Sequence, residues 1–244
     1  MAEAKKEEVK NDVGFLAEVA GQGFENVKAD DVATPLLLIS QALSEVTTQG
    51  AIPAGHFYNS VTGRDYGDKL RMVVCHFDKM WFEWKPNQGG LVGRYPVGGL
   101  EGVVGDKYSG MKHGENKVEE KMMFLVVLPD FPEDGYLVFS STPGNLKYIK
   151  GWVTQMSNLR LEDGKRAPLF GAIWNVTLSQ DTNKQGNKFF SCNENGKSSF
   201  KFDGWISQVV YQEAIQPARE VATQALAIAD MSKEKPALDD NSAF

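Results

Sequence analysis

Apolar residues along the chain recur at two spacings, and the points where one spacing gives way to the other divide it into strands and helices. Leu70-Arg-Met-Val-Val-Cys-His-Phe77 and Met80-Trp-Phe-Glu-Trp84 are dense in apolar and aromatic residues and predict two strands, with the Asp78-Lys79 link between them reading as a hairpin turn. Lys121-Met-Met-Phe-Leu-Val-Val-Leu128, closed by Pro129, is nearly continuous apolar sequence, as in a strand buried on both faces. Residues 136–141 predict the next strand, and Pro132 to Gly135 supply turn chemistry before it. From Thr142 the period lengthens. Leu146, Ile149, Val153 and Met156 fall on one helical face, with Thr142 as N-cap and Pro143 at the first helical position. Strand spacing returns over residues 171–180, the chain turns at 183–187, and residues 188–192 come back as a hairpin partner. Residues 205–211 read as a further strand, and 217–231 as an alanine-rich amphipathic helix.

Upstream, the run Pro35-Leu-Leu-Leu-Ile39 with Ala42, Leu43 and Val46 has helical spacing, and Thr34 and Pro35 fit its cap and first position. Residues 13–31 are weakly helical and interrupted by Gly21 and Gly23. Strands, one helix and a terminal hairpin in this order are how an OB-fold is written: a mainly β, five-stranded Greek-key barrel with a helix between its third and fourth strands. The expected division is an acidic arm over 1–34, an OB-fold-like domain over 35–231 with helical extensions at its ends, and an acidic tail over 232–244.

Charge sharpens this division. The formal net charge is −6 over 244 residues, yet residues 1–34 hold four Lys against eight acids and residues 230–244 two Lys against four acids, which leaves the body neutral. A neutral body still accommodates a basic groove, because affinity follows local clustering of charge. Cys75 and Cys192 each lie in an apolar or aromatic stretch, the setting of a buried free thiol in a reducing compartment. The opening residues show no signal-peptide pattern, and no apolar run is long enough to span a bilayer.

Signals for catalysis are poor. Asn195-Gly-Lys-Ser198 resembles the end of a phosphate-binding loop, but Ser191 occupies the position of its first glycine and the turn falls in a hairpin. His56, His76 and His113 lack ligand spacing with either cysteine. Acid pairs such as Glu119 with Glu120, or Asp130 with Glu133 and Asp134, sit in turns or flanks where Asp has its own backbone-bonding role. No enzyme activity, metal or cofactor is expected.

Binding chemistry is better represented. Coating a single strand needs flat rings on which bases stack and cations beside them for phosphates. Cations and aromatic residues interleave repeatedly: Trp81 and Trp84 with Lys85, Arg94 with Tyr95, Lys107 with Tyr108, Lys147 with Tyr148, Lys150 near Trp152, and Lys188 with Phe189 and Phe190. Alternation puts Trp81, Glu83 and Lys85 on one strand face and Met80, Phe82 and Trp84 on the other, so only one of the tryptophans faces a ligand. The candidate DNA-binding residues are therefore Trp81, Lys85, Arg94, Tyr95, Lys107, Tyr108, Lys150, Lys188 and Phe189. The competing reading is that strand tryptophans are core. Residues 86–114 are rich in glycine and read as a loop that closes over the bound strand or as a plain excursion.

The last eight residues, Ala237-Leu-Asp-Asp-Asn-Ser-Ala-Phe244, carry too little apolar surface to order themselves and read as a displayed acidic peptide. With Gly23-Phe-Glu-Asn-Val-Lys-Ala-Asp-Asp-Val-Ala-Thr-Pro-Leu-Leu-Leu-Ile-Ser-Gln-Ala-Leu43, Pro53-Ala-Gly-His-Phe-Tyr-Asn-Ser-Val-Thr-Gly63, and Trp81-Phe-Glu-Trp84 with Gly89-Gly90, the chain resembles the single-stranded DNA-binding proteins of tailed bacteriophages. The resemblance implies an OB-fold core, sequence-independent coating of single strands during phage replication or recombination in the host cytoplasm, and a tail whose Asp239, Asp240 and Phe244 guard the groove or recruit replication and recombination proteins. An assembly of several copies is compatible with it. The tail departs from the family's stronger examples in having only two acids close to the Phe. Two other classes stay open: a virion or scaffold-associated phage protein without DNA binding, and a DNA-processing enzyme, for which the sequence offers no organised carboxylate cluster.

Overall fold

The computed structural model describes residues 33–86, 90–96, 111–183 and 185–228. The chain divides into two units, Met1–Val32 and Ala33–Phe244, and all the described residues lie in the second.

The body is mainly β and is organised around one strand of unusual length, β4 (Lys69–Trp84), preceded by the short strands β1 (Leu37–Ile39), β2 (Phe57–Asn59) and β3 (Asp65–Gly67) and a one-turn helix α1 (Glu45–Thr48). After β4 come β5 (Leu91–Pro96), β6 (Met111–His113), β7 (Asn116–Val127), β8 (Tyr136–Ser140), helix α2 (Leu146–Asn158) and β9 (Ala172–Thr177). The strands β10 (Ser179–Thr182), β11 (Lys188–Ser191), β12 (Asn193–Glu194), β13 (Lys197–Ser198) and β14 (Lys201–Trp205) follow, and helix α3 (Gln216–Ile228) is the last element among the described residues.

Asp78 and Lys79 do not turn. They pair with Met123 and Met122 of β7, and a neighbouring strand that offers ladder partners to both residues carries the chain straight through. Along β4 the pairing with β7 is continuous from Val73 to Trp84 apart from a register shift between Val74 and His76, a bulge that re-aims the side chains beyond it. On the other side of β4, β9 pairs with Lys69 to Val73 and β5 with Met80 to Trp84. β14 extends the sheet beyond β9, while β8 and β6 flank the two halves of β7. Five strands therefore lie in the order β8-β7-β4-β9-β14, and among the described residues β8 and β14 share no ladder, so the sheet is not a closed barrel.

Both faces of this sheet are buried, which accounts for the unbroken apolar run in β7. On one face α2 lays down Tyr148, Ile149, Trp152 and Met156, and Trp152 meets Phe124, Trp174 and Phe200 at ring-centroid distances of 5.0, 6.0 and 3.9 Å. The helix is capped one turn later than its sequence signal, at Asn145, whose Oδ1 accepts the Cys192 N–H at 2.7 Å. Thr142 instead receives the backbone N–H groups of Asn145 and Leu146 on its carbonyl. On the other face Ile215, Ala218, Ala222 and Leu226 from the C-terminal helical segment cover Val73, Cys75, Phe82, Trp84, Met123, Leu125 and Val127.

Two further expectations change. The apolar run after Pro35 is a strand and not a helix: β1 pairs with β2, Leu36 donates its N–H to Ser60 Oγ at 2.9 Å, and Val138 donates its N–H to the Pro35 carbonyl at 2.9 Å, so long-range ladders override the local period. The strand expected over 205–211 ends at Trp205. Ser207 Oγ accepts the Val210 N–H at 3.2 Å, a side-chain N-cap, and the chain continues helically through Gln208–Val210 and a π turn, Tyr211–Ile215, into α3.

Candidate nucleic-acid interface

Pairing across the upper half of the sheet sets Tyr95, Trp81 and Glu120 side by side on β5, β4 and β7. Lys79, two residues from Trp81 on the same face, reaches Glu120 at 3.2 Å and lies 5.7 Å from the Trp81 ring centroid. Lys150 of α2 reaches the same carboxylate at 3.7 Å. Three of the expected residues, Trp81, Tyr95 and Lys150, are thus brought together. Trp81 does not serve as a stacking platform, however: it is 2% exposed, which leaves neither face of its ring open to a base. Trp84, on the opposite face, is equally buried, under the C-terminal helix.

The Tyr95 ring is half-buried and held at its tip. Its hydroxyl donates to Glu83 Oε2 at 2.7 Å, and Asn116 Nδ2 donates to Glu83 Oε1 at 2.6 Å, so a carboxylate that is 1% exposed fixes the ring's direction. That hydrogen bond also raises the Tyr95 phenol above its ordinary pKa, with a smaller push from burial. The ring lies across Gly93, where a Cβ would stand 2.9 Å from the Tyr95 hydroxyl; glycine is what allows the close approach. Arg94 points to the other face, opposite Phe82, with its guanidinium 5.6 Å from that ring. Lys85 is exposed just beyond β4, its N–H bonded to the Gly90 carbonyl at 2.9 Å. Lys107, Tyr108, Asp239, Asp240 and Phe244 lie outside the described residues.

A second group gathers on the β10–β11 hairpin. Tyr148 of α2 donates its hydroxyl to Asp181 Oδ2, and Lys147 Nζ stands 3.4 Å from the same oxygen and 4.5 Å from the Tyr148 centroid. Burial pushes the Asp181 carboxyl up, but the Tyr148 hydroxyl, the Thr182 N–H and the Lys147 charge outweigh it and hold it below the usual range. Lys188 is exposed at the start of β11. Phe189 is half-buried, its ring over Gly144, and Phe190 lies over Gly55. Gln41 binds the Phe190 backbone twice, Nε2 donating to the carbonyl at 3.0 Å and Oε1 accepting the N–H at 2.7 Å, as a strand neighbour would. Helix α2 joins the two groups, since Lys147 and Lys150 are one turn apart and bind Asp181 and Glu120 respectively. The result is a line of three exposed or half-buried ammonium groups, Lys79, Lys150 and Lys147, against two carboxylates.

Sequence reasoning passed over Phe202 and Trp205 on β14. They are 43% and 42% exposed, whereas the other four tryptophans are buried. A signal was present in Lys201-Phe-Asp-Gly-Trp205, a cation and two rings within five residues. For chemistry other than binding the described residues offer little: none of them forms a group of three or more His, Cys, Asp and Glu that could hold a metal, and no helix among them is long and apolar enough to cross a membrane.

A mainly β body with two ring-and-cation groups is the frame into which comparison with known proteins fits, and that comparison makes the chain a bacteriophage protein. It belongs to the family described as Pam3 phage gp34-like protein, which it matches over residues 4–227. No curated protein and no solved structure matches it.

Proposed function

We propose that the chain binds single-stranded DNA without reading its sequence, coats it during phage replication or recombination in the host cytoplasm, and performs no reaction of its own. The observation that carries this reading is where the two ring-and-cation groups fall in the connectivity. Strands β4, β7, β8, β9 and β14 succeed one another in sequence, pair in the order β8-β7-β4-β9-β14, and have α2 between the third and the fourth. That order supports reading the sheet as an OB-fold left partly open, a fold in which oligonucleotides bind across a strand face and between the loops joining first to second and fourth to fifth strands. Here the first of those connections carries Lys85, Arg94 and Tyr95, and the second carries Lys188 and Phe189. Cations from Lys79, Lys147 and Lys150 run between them. The acidic tip with Asp239, Asp240 and Phe244 is the segment we assign to recruiting replication or recombination proteins.

The test is the binding of a labelled poly(dT) oligonucleotide by fluorescence anisotropy at several salt concentrations, with a duplex of equal length as competitor. The reading expects preference for the single strand and a log–log salt slope of about −0.7 per phosphate neutralised. Equal affinity for the duplex, or no salt dependence, overturns it. A chain that binds neither and is present in purified particles is a virion or scaffold component instead.

A further inference from the structure

Edge strand β14 ends on a shallow apolar groove of about 360 Å³, lined by Leu161, Pro168, Phe170, Trp205, Ile206 and Tyr211 among others. Its Trp205 ring stands against Phe202 edge to face, 5.0 Å between centroids, and Phe202 in turn against the buried Trp174 at 6.1 Å, so a half-exposed ring is braced from the core outward. Phe170 and Tyr211 form the other wall, 5.3 Å apart, and the Arg219 guanidinium lies 4.2 Å from the Phe170 centroid. The loop that supplies Leu161 and Pro168 is a small hairpin in which Arg160 and Arg166 face each other. Among the described residues no carboxylate is within ion-pairing distance of Arg160, Arg166 or Arg219.

We propose that this groove is a second contact for the DNA strand, taking an unpaired nucleobase against Trp205 with the neighbouring phosphates drawn to Arg160, Arg166 and Arg219. The proposal rests on the single-stranded DNA reading above and extends it to a site outside the two connecting loops. A flat, half-exposed ring on a groove with Arg219 against its Phe170 wall and Arg160 and Arg166 on the loop that lines it suits a base and its phosphates, since stacking is open to any base and needs no hydrogen-bond readout. An apolar protein side chain would use the ring but leave the three guanidinium groups without a counter-charge. The site lies beyond the C-terminal end of α2, whereas Lys147 and Lys150 sit in its first turns; a 13-residue helix is about 20 Å long. A strand touching both ends would follow the length of α2.

The five tryptophans make the test specific, because four are buried and Trp205 alone is accessible for contact. Full-length protein is titrated with poly(dT), reading intrinsic tryptophan emission and acrylamide quenching on one side and anisotropy of a labelled oligonucleotide on the other. Bound DNA is expected to quench the emission and to protect the remaining signal from acrylamide. Trp205→Ala is expected to lose both effects and to weaken binding by about 5- to 150-fold. Acrylamide protection in the unsubstituted protein needs no variant, so a misfolded Trp205→Ala does not leave the question open. If the oligonucleotide binds by anisotropy while emission and acrylamide access stay unchanged, the groove is not a base site and the DNA reading survives without it. If no oligonucleotide binds at all, the DNA reading fails and the groove assignment falls with it.

Discussion

Trp152 and Phe200 lie face to face, their ring centroids 3.9 Å apart and their planes within 7° of parallel. Phe200 also meets Phe139 of β8 at 6.4 Å, so packed rings bring β8 and the approach to β14 together where no backbone ladder does. Phe200→Ala should therefore cost about 3–5 kcal/mol in urea unfolding, the range for deleting a buried aromatic. Leu43→Ser, at a residue 83% exposed, should stay within about 0.5 kcal/mol. Comparable losses in the two variants would mean that the rings do not hold the sheet edges together.

Tyr95 separates a stacking role from a structural one. Tyr95→Phe keeps the ring and removes its bond to Glu83, which should lower stability by about 1.5–3 kcal/mol, as for hydrogen bonds to charged groups, and leave oligonucleotide affinity nearly intact. Tyr95→Ala should additionally weaken poly(dT) binding by about 1–3 kcal/mol. Equal binding by both variants, measured by anisotropy on folded protein, would remove Tyr95 from the interface.

The β10–β11 hairpin depends on glycines beneath its rings. Gly55 has φ +84°, and a Cβ there would stand 2.6 Å from the Phe190 ring. Gly55→Ala should cost about 1–3 kcal/mol through overpacking, with backbone strain added. In a Phe190→Ala background the clash is gone and only the strain remains, so a double-mutant cycle should show coupling above about 0.5 kcal/mol. Strict additivity would place the ring elsewhere.

Acid should release one surface clasp. Arg71 donates to both oxygens of Asp130 at 3.0 and 2.5 Å and holds its carboxyl below the usual pKa against a smaller upward push from burial. A folded-state pKa lower than the unfolded one contributes stability that is whole above the ordinary carboxylate value of about 4 and is lost as pH falls through the depressed value. Both side chains are about two-fifths exposed, 40% and 44%, which limits the effect to about 1 kcal/mol. Asp130→Asn should be less stable than the parent near pH 7, with the difference in urea midpoint narrowing below about pH 4. A difference that widens in acid would contradict the sign.

How much of this could be read from sequence depended on whether a residue's surroundings were local. The run from Lys121 to Leu128 announced a strand buried on both faces, and Ile149, Val153 and Met156 announced α2, because pattern and period report burial directly. Asp78 and Lys79 imitate a turn, and only Met123 and Met122 on a distant strand make them ladder residues. The run after Pro35 has a helix's spacing, yet its partners at Ser60 and Val138 are too far along the chain to be visible in it. For the site the same limit applied more strongly. Strand pairing sets Tyr95 and Glu120 on either side of Trp81, and helix docking brings Lys150 to Glu120, which no spacing encodes. Trp81 and Trp205 are one residue type, buried and exposed respectively, because one lies inside a layer and the other on an edge.

The two thiols are filed on opposite sides of the sheet, Cys75 in the layer under the C-terminal helix and Cys192 in the layer under α2. Burial raises both, Cys75 to about 12, so neither reacts while its layer stays shut. An alkylating reagent therefore keeps separate time for each side. Modification at Cys75 alone records the departure of α3 from an otherwise intact body, and modification at both records collapse of the whole, which turns two inert residues into a record of the order in which the molecule comes apart.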